Sequence, residues 1–169
     1  GLGDVYKRQP HGVPGDRIIK NGDFLLMDYG CVYNGYCSDM TRTIMIGKAD
    51  KKQKEIYNTV LNAQMTGLNV LKAGIGGFSA DKAARDVIDE AGYGDYFGHS
   101  LGHGVGLQIH ELPNLSPKSD IILEENMIVS CEPGIYIYGY GGVRIEDLVC
   151  VKKDGIRNLT NLSKELIEI

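Results

Sequence analysis

The 169-residue sequence contains no apolar run approaching the roughly 18–20 residues that a membrane-crossing helix needs. Its first residues, Gly1 to Gln9, lack the apolar core of a secretion signal. Cysteines are few. Cys31, Cys37, Cys131 and Cys150 form no C-x-x-C pair and no dense framework, so they read as reduced thiols of a cytoplasmic protein. Basic residues are not in excess: Lys and Arg number 18 against 22 Asp and Glu, a net charge of −4. That balance favours neither nucleic acid nor a membrane as partner. The sequence also lacks a Gly-rich phosphate loop, an internal repeat and a Pro/Ser-rich linker.

What is present describes one globular unit. Apolar residues make up 43% and charged residues 24%, and the 23 glycines point to tight turns and close backbone approaches. Strand patterns come first, over about Asp23 to Ile46, with Asn34-Gly35 as a strong two-residue hairpin signal. Two helices follow. The first carries Ile56, Val60, Ala63, Gly67 and Val70 at helical spacing, with Gly74 as its expected stop. The second is expected to start at an N-cap Ser79, to present Ala80, Ala83, Ala84, Val87 and Ile88 closely against a sheet, and to end at Gly92. Strands return over Met127–Cys131, Ile135–Tyr138 and Val143–Val151, with a final short strand after Lys153-Asp-Gly155. Strands, helices and strands again predict an α+β fold.

Three sets of residues could carry chemistry. If Asn34-Gly35 is a two-residue turn, Tyr33 pairs with Tyr36 and Asp39 faces Gly30. Asp28 and Asp39 then lie on one face as diagonal neighbours, about 7–8 Å apart at the backbone. Two such acids beside an apolar run repel unless a cation lies between them, whereas solvated strand-end acids, or a one-residue bulge, would separate them. Next, His99, His103 and His110 crowd the segment Gly98-His-Ser-Leu-Gly-His-Gly-Val-Gly-Leu-Gln-Ile-His-Glu111. Its H-x-x-x-H spacing is not a helical zinc motif, since Glu does not follow the first His and Gly102 and Gly104 discourage a helix. Each histidine alone fits a structural role, but three within one glycine-rich segment favour a site. Last, Glu132 follows an apolar strand and Glu146 sits inside another, where an acid is expensive unless paired or metal-bound. Arg144 shares the Glu146 face and offers an ion pair, while Asp147 must point the other way and is expected to be solvated or to support the site from behind.

Four carboxylates and one to three imidazoles suit hard or borderline divalent ions, and two ions would balance four negative charges. Two close ions can clamp a nucleophile and a developing oxyanion, the chemistry of hydrolysis; with no phosphate-binding motif, acyl hydrolysis is favoured. A nucleophilic cysteine is the weaker reading, because all four cysteines lie in or beside strands.

Several segments together carry a resemblance: Pro10-His-Gly-Val-Pro14, Met27-Asp-Tyr-Gly30, Ser38-Asp-Met-Thr-Arg-Thr43, the histidine segment, Ile109-His-Glu-Leu-Pro113, Glu132-Pro-Gly-Ile-Tyr136 and Gly141-Gly-Val-Arg-Ile-Glu-Asp147. Over residues 10–169 the sequence resembles the catalytic domain of Xaa-Pro peptidases, the aminopeptidase P and prolidase group of the methionine aminopeptidase superfamily. The resemblance implies a pita-bread fold, a curved and mostly antiparallel sheet with helices on its outer face. It implies that Asp28, Asp39, His103, Glu132 and Glu146 hold two divalent ions, manganese first, with cobalt or zinc as substitutes. Asp39 and Glu146 would bridge the ions, and His103 would bind one. Glu132 would also shuttle the proton of the hydroxide that attacks from between the metals. His99 and His110 would contact substrate and the tetrahedral intermediate, His11 would shape the proline-side pocket, and Arg144 would anchor the site by hydrogen bonds. The implied reaction releases the N-terminal residue from short peptides with proline second, and a homodimer is compatible with it.

Ser38-Asp-Met-Thr-Arg-Thr43 and Arg144 favour proline peptidases over methionine aminopeptidases. A non-catalytic peptide- or protein-binding module and a metal-free creatinase-like hydrolase are the alternatives, and the intact ligand set counts against both. The family places further strands and a helix before the Pro10 segment. The sequence therefore reads as a single, N-terminally truncated catalytic domain, with part of its sheet uncovered and apolar surface exposed. Residues 1–9 read as a non-matching leader, a cloning or assembly artefact.

Overall fold

The computed structural model describes residues 16–169 of the chain, so His11 and the 1–9 leader lie outside the described residues. Four strands come first: β1 (Phe24–Tyr29), β2 (Val32–Tyr33), β3 (Tyr36–Cys37) and β4 (Met40–Met45). Helices α1 (Lys51–Val70) and α2 (Gly77–Glu90) and a 3-10 turn at Gly94–Tyr96 follow. Then come β5 (Gly102–Gly104), β6 (Glu111–Leu115), β7 (Ile128–Cys131), β8 (Gly134–Ile137), β9 (Gly141–Arg144), β10 (Asp147–Lys152) and β11 (Gly155–Asn158). The arrangement is α+β, and every strand ladder is antiparallel.

The first four strands form one long hairpin in the expected register. Asn34 and Gly35 adopt φ of 49° and 86°, the left-handed pair that a tight hairpin turn needs. Tyr33 pairs with Tyr36, Asp28 with Thr41 and Phe24 with Met45, and Ser38 N donates to Cys31 O at 2.8 Å between the two ladders. No bulge intervenes. A Cβ at Gly30 would lie 2.0 Å from the Ser38 carbonyl oxygen, so only glycine lets the two strands close beside Asp39.

The five-stranded sheet runs β11-β10-β7-β5-β6. Ile56, Val60 and Ala63 of α1 and Ala80, Ala84 and Ile88 of α2 enter one core with Val129, Cys131 and Val149 of the sheet. Gly67 of α1 is the point of closest packing, where an added Cβ would meet Cys131 Sγ at 3.0 Å and Ala84 Cβ at 3.5 Å. The small alanines of α2 therefore admit a helix as well as the sheet. Among the described residues no helix is long and apolar enough to cross a membrane.

Four local expectations are corrected. Helix α1 ends at Val70 rather than running to Gly74, because buried Leu71 turns extended and the next amides bond elsewhere: Ala73 N to Lys152 O and Gly74 N to Leu123 O. Helix α2 starts at Gly77 with Gly76 as its cap, so Ser79 lies inside the helix. A Cβ at Gly77 would stand 2.4 Å from Asn114 O, which makes this start a close approach to β6 rather than a side-chain cap. The stretch Val143–Val151 is not one strand but β9 and β10, which belong to different sheets and are separated at Ile145-Glu146. Asp147 is not solvated. It is fully buried and accepts from Arg42, Lys164 and Asn158.

Candidate metal centre

The break between β9 and β10 leaves Glu146 free to turn toward the hairpin. Its amide donates to Thr41 O at 3.1 Å, and its Oε2 accepts from Thr41 Oγ1 at 2.7 Å. Its Oε1 is buried with no hydrogen-bond partner. Leaving such an oxygen unpaired costs on the order of 1–3 kcal/mol or more. The carboxyl is accordingly pushed up to about 8, by burial first and then by the negative charges of Glu132 and Asp39.

His103 rises from β5. Its Nδ1 lies 3.0 Å from Gly104 O, an acceptor only, so Nδ1 carries a hydrogen and Nε2 faces the acids. That nitrogen stands 3.1 Å from Glu132 Oε1 and 3.8 Å from Asp39 Oδ2. Burial works against charging the ring, but the Glu132 hydrogen bond and the neighbouring carboxylates push it up to about 9. Asp39 is raised to about 6 by burial and then by Asp28 and Glu132. For Glu132, burial acts upward, but the hydrogen bond and charge of His103 outweigh it and hold the carboxyl below its ordinary range.

One ligand atom from each of Asp39, His103 and Glu146 lies within 4.8 Å of the other two. Asp28 and Glu132 stand at the edge of this group. Asp28 Oδ2 accepts from Arg144 Nη2 at 2.5 Å, and Glu132 Oε1 accepts from Ser130 Oγ at 2.9 Å. The donor set is carboxylate-rich, with one imidazole already oriented by a carbonyl and one buried oxygen lacking a partner. It fits a divalent cation, whose charge would relieve both the repulsion and the orphaned oxygen.

Around the acids lies a hydrogen-bonded frame. Arg144 donates through Nε to Thr41 Oγ1 at 3.0 Å and through Nη1 to the Tyr136 hydroxyl at 3.1 Å. Burial opposes its charge, but Tyr136, Glu132 and Asp28 hold its pKa above the ordinary value. His99 Nε2 lies 3.0 Å from the same Tyr136 hydroxyl, and burial depresses the imidazole. The His110 ring meets His103 edge-on, with centroids 4.3 Å apart. A cavity of about 170 Å³ opens here, lined by His99, His103, His110, Asn114 and Glu132 among others.

A model of metallopeptidase family M24 matches residues 5–153. The chain belongs to metallopeptidase family M24. It is 51% identical over 158 residues to the uncharacterized peptidase YqhT of Bacillus subtilis, covering 94% of this chain and 45% of that protein. It is 49% identical over 158 residues to the Xaa-Pro dipeptidase of Pyrococcus furiosus, with the same two coverages. The solved Xaa-Pro dipeptidase from Bacillus anthracis superposes with a TM-score of 0.94 at 53% identity, over 98% of this chain and 46% of that one. The fold is thus the M24 pita-bread fold, and the chain spans about half the length of the curated relatives it matches.

Of the residues singled out in the sequence, this M24 chain links Asp28, Asp39, His99, His103, His110, Glu132, Arg144 and Glu146 into one cluster of contacts; His11 is outside the described residues. Sequence reasoning gave no role to Thr41, Ser130 or Tyr136, whose hydroxyls join the acids and bases into one network. Asp81 is buried, accepts from Leu101 N at 2.9 Å and pairs with Arg85, whose guanidinium donates to Phe97 O and His99 O. Only the spacing of Asp81 and Arg85, four residues apart on one helix face, hinted at that pair. Cys131 and Cys150 are buried, and Cys31 is exposed.

Proposed function

We propose that this protein is a metal-dependent exopeptidase that hydrolyses the bond between an N-terminal residue and proline in short peptides. The observation that carries this reading is the unpartnered, buried Glu146 Oε1 beside Asp39 and His103. Relatives named Xaa-Pro dipeptidase support the substrate class. Asp28, Asp39, His103, Glu132 and Glu146 would hold two divalent ions, manganese first. Bound there, the ions supply charge neutralisation, a water of lowered pKa and polarisation of the scissile carbonyl.

The chain's own groups do the rest. Glu132, steadied by Ser130 Oγ, takes the proton of the attacking water and delivers it to the departing prolyl nitrogen. His99, whose imidazole is depressed by burial and held between Ser100 O and the Tyr136 hydroxyl, contacts the substrate, and His110 donates toward the oxyanion of the tetrahedral intermediate. Arg144 holds Asp28 and Thr41 in place, and Thr41 in turn holds Glu146.

The experiment is a metal assay of the purified chain followed by hydrolysis of an Xaa-Pro dipeptide and an Xaa-Pro-Xaa tripeptide. Metal uptake with release of the N-terminal residue is expected. A folded chain that takes up no metal would instead be a binding module, and tripeptide cleavage without dipeptide cleavage would mark an aminopeptidase rather than a dipeptidase.

A further inference from the structure

The stretch from Phe97 to Leu101, which carries His99, joins the 3-10 turn to β5 and belongs to no helix or strand. Two side chains of α2 take up polar backbone groups there. Asp81 is 1% exposed, and its Oδ1 accepts from Leu101 N at 2.9 Å. Its two oxygens also accept from Arg85, from Nε at 2.8 Å and from Nη2 at 2.9 Å. Arg85 in turn donates from Nη1 to Phe97 O at 2.9 Å and from Nη2 to His99 O at 2.8 Å. Its Cζ lies 4.1 Å from the centroid of the Phe97 ring, and that ring meets the His99 imidazole edge-on, with centroids 5.0 Å apart.

We propose that Asp81 and Arg85 are positioning residues that hold the His99 imidazole at its place in the cavity wall. This rests on the peptidase reading above, in which His99 contacts the substrate. An imidazole on irregular backbone is aimed only as well as that backbone is held. Of the ring's two partners, the Ser100 carbonyl belongs to the same irregular stretch, so it cannot anchor the ring by itself. The anchor comes from α2. A guanidinium is a rigid planar fork, so one edge of Arg85 takes the Asp81 carboxylate while its outer N–H groups span the carbonyls of Phe97 and His99. Asp81 fixes the fork and also catches Leu101 N, so the chain is gripped on both sides of Ser100, which lines the cavity with His99. A buried ion pair adds little net stability over apolar side chains of similar volume, and its contribution here is geometric.

The test compares the parent chain, Arg85→Lys, His99→Ala and the double variant, each loaded with Mn2+ and given an Xaa-Pro dipeptide. Arg85→Lys keeps a charge opposite Asp81 but cannot span both carbonyls. It is expected to lower kcat/KM about tenfold, within the loss that a misplacement of about 1 Å brings, with Mn2+ affinity unchanged. In the His99→Ala background the same substitution should cost about twofold or less, because the ring it aims is gone. A second readout needs no turnover: the nuclear Overhauser contact between the Phe97 and His99 rings of the metal-free chain should weaken in Arg85→Lys. Asp81→Asn, an isostere that keeps an acceptor for Leu101 N, should show the same pattern at about threefold, and it decides the matter if Arg85→Lys fails to fold. Equal losses in the two backgrounds, or a ring contact of parent strength in the variants, overturn the positioning role alone. A parent chain that binds Mn2+ but cleaves no Xaa-Pro peptide overturns the peptidase reading, and the ring contact still decides whether Asp81 and Arg85 aim His99.

Discussion

Arg42 and Asp147 form an ion pair of 2.7 Å whose side chains are 4% and 0% exposed, directly behind the candidate metal centre. Every arm of the pair is used. Asp147 Oδ2 takes Asn158 Nδ2 and Lys164 Nζ, each at 2.7 Å. Arg42 Nη1 donates to the carbonyls of Thr41 and Glu146, while Nε and Nη2 reach Ser163 O and Leu162 O. The guanidinium therefore ties together the backbone that carries the Glu146 carboxylate, the strand that carries Thr41 and the C-terminal segment.

Removing Asp147 leaves the Arg42 charge buried without its carboxylate, whereas removing Arg42 leaves Asp147 with Lys164 and Asn158. Asp147→Ala is expected to cost about 3–5 kcal/mol in urea unfolding, and Arg42→Ala a comparable amount because four carbonyls lose their donor. The double variant should cost less than the two losses added together, because the second substitution removes the stranded charge. A sum that is simply additive would mean that the pair contributes nothing as a pair.

Glu168 ties down the C-terminal end and titrates in a separable window. Its carboxylate accepts from Lys48 Nζ and Ala49 N, while Ile167 O and Ile169 N bond to Met45 of β4. The Lys48 hydrogen bond, then that of Ala49, lowers it from 4.5 to about 2. A depressed carboxyl stabilises the folded state above its unfolded pKa, and that contribution is lost as pH falls through the folded value. Protection of the Met45 and Ile169 amides from hydrogen exchange is expected to fall between about pH 4.5 and 2. Glu168→Gln should have lost that pH dependence already at neutral pH, and added salt should weaken it.

The hairpin register was legible because a left-handed Asn-Gly turn leaves only one pairing, and that pairing by itself sets Asp28 and Asp39 on one face. The histidine segment was legible as irregular backbone because its glycines disfavour a helix. The break between β9 and β10 was not. Val143 to Val151 has continuous strand composition, and only tertiary hydrogen bonds such as Glu146 N to Thr41 O divide it. Asp147 was misjudged for a related reason: alternation says which way a side chain points, but not that a buried arginine from a strand about a hundred residues earlier waits there. Helix ends were misplaced where long-range partners, Lys152 O and Leu123 O, won over the local signal of Gly74.

Asp39 and Glu146 meet at a point where their charges repel, so neutral isosteres should have opposite effects on the metal-free and metal-loaded chains. Asp39→Asn or Glu146→Gln removes a buried negative charge and is expected to stabilise the metal-free chain at pH 8 in thermal unfolding. The same variants should lose the stabilisation that Mn2+ confers on the parent chain, and turnover of Xaa-Pro peptides with it. A variant that keeps both would show that these side chains do not hold the ion.

Glu132 separates holding a cation from moving a proton. Its carboxylate is fixed by Ser130 Oγ at 2.9 Å and by His103 Nε2 at 3.1 Å, so Glu132→Gln retains an oxygen in the same place but cannot accept a proton. Turnover is expected to fall about 10²–10⁴-fold, the range over which positioned acid–base groups act. Mn2+ should still be taken up, measured by calorimetry, though less tightly because one charge is gone. Ser130→Ala is the milder companion. It keeps the carboxylate and removes only the hydroxyl that aims it and that also accepts from His103 N. Its loss should fall mainly on kcat, by about tenfold, with the pH profile displaced upward as the carboxylate loses a donor and binds protons more readily. If Glu132→Gln retained most of the parent kcat, the proton would have to travel by another route, and His99, whose Nε2 faces the Tyr136 hydroxyl, is the next group placed to carry it.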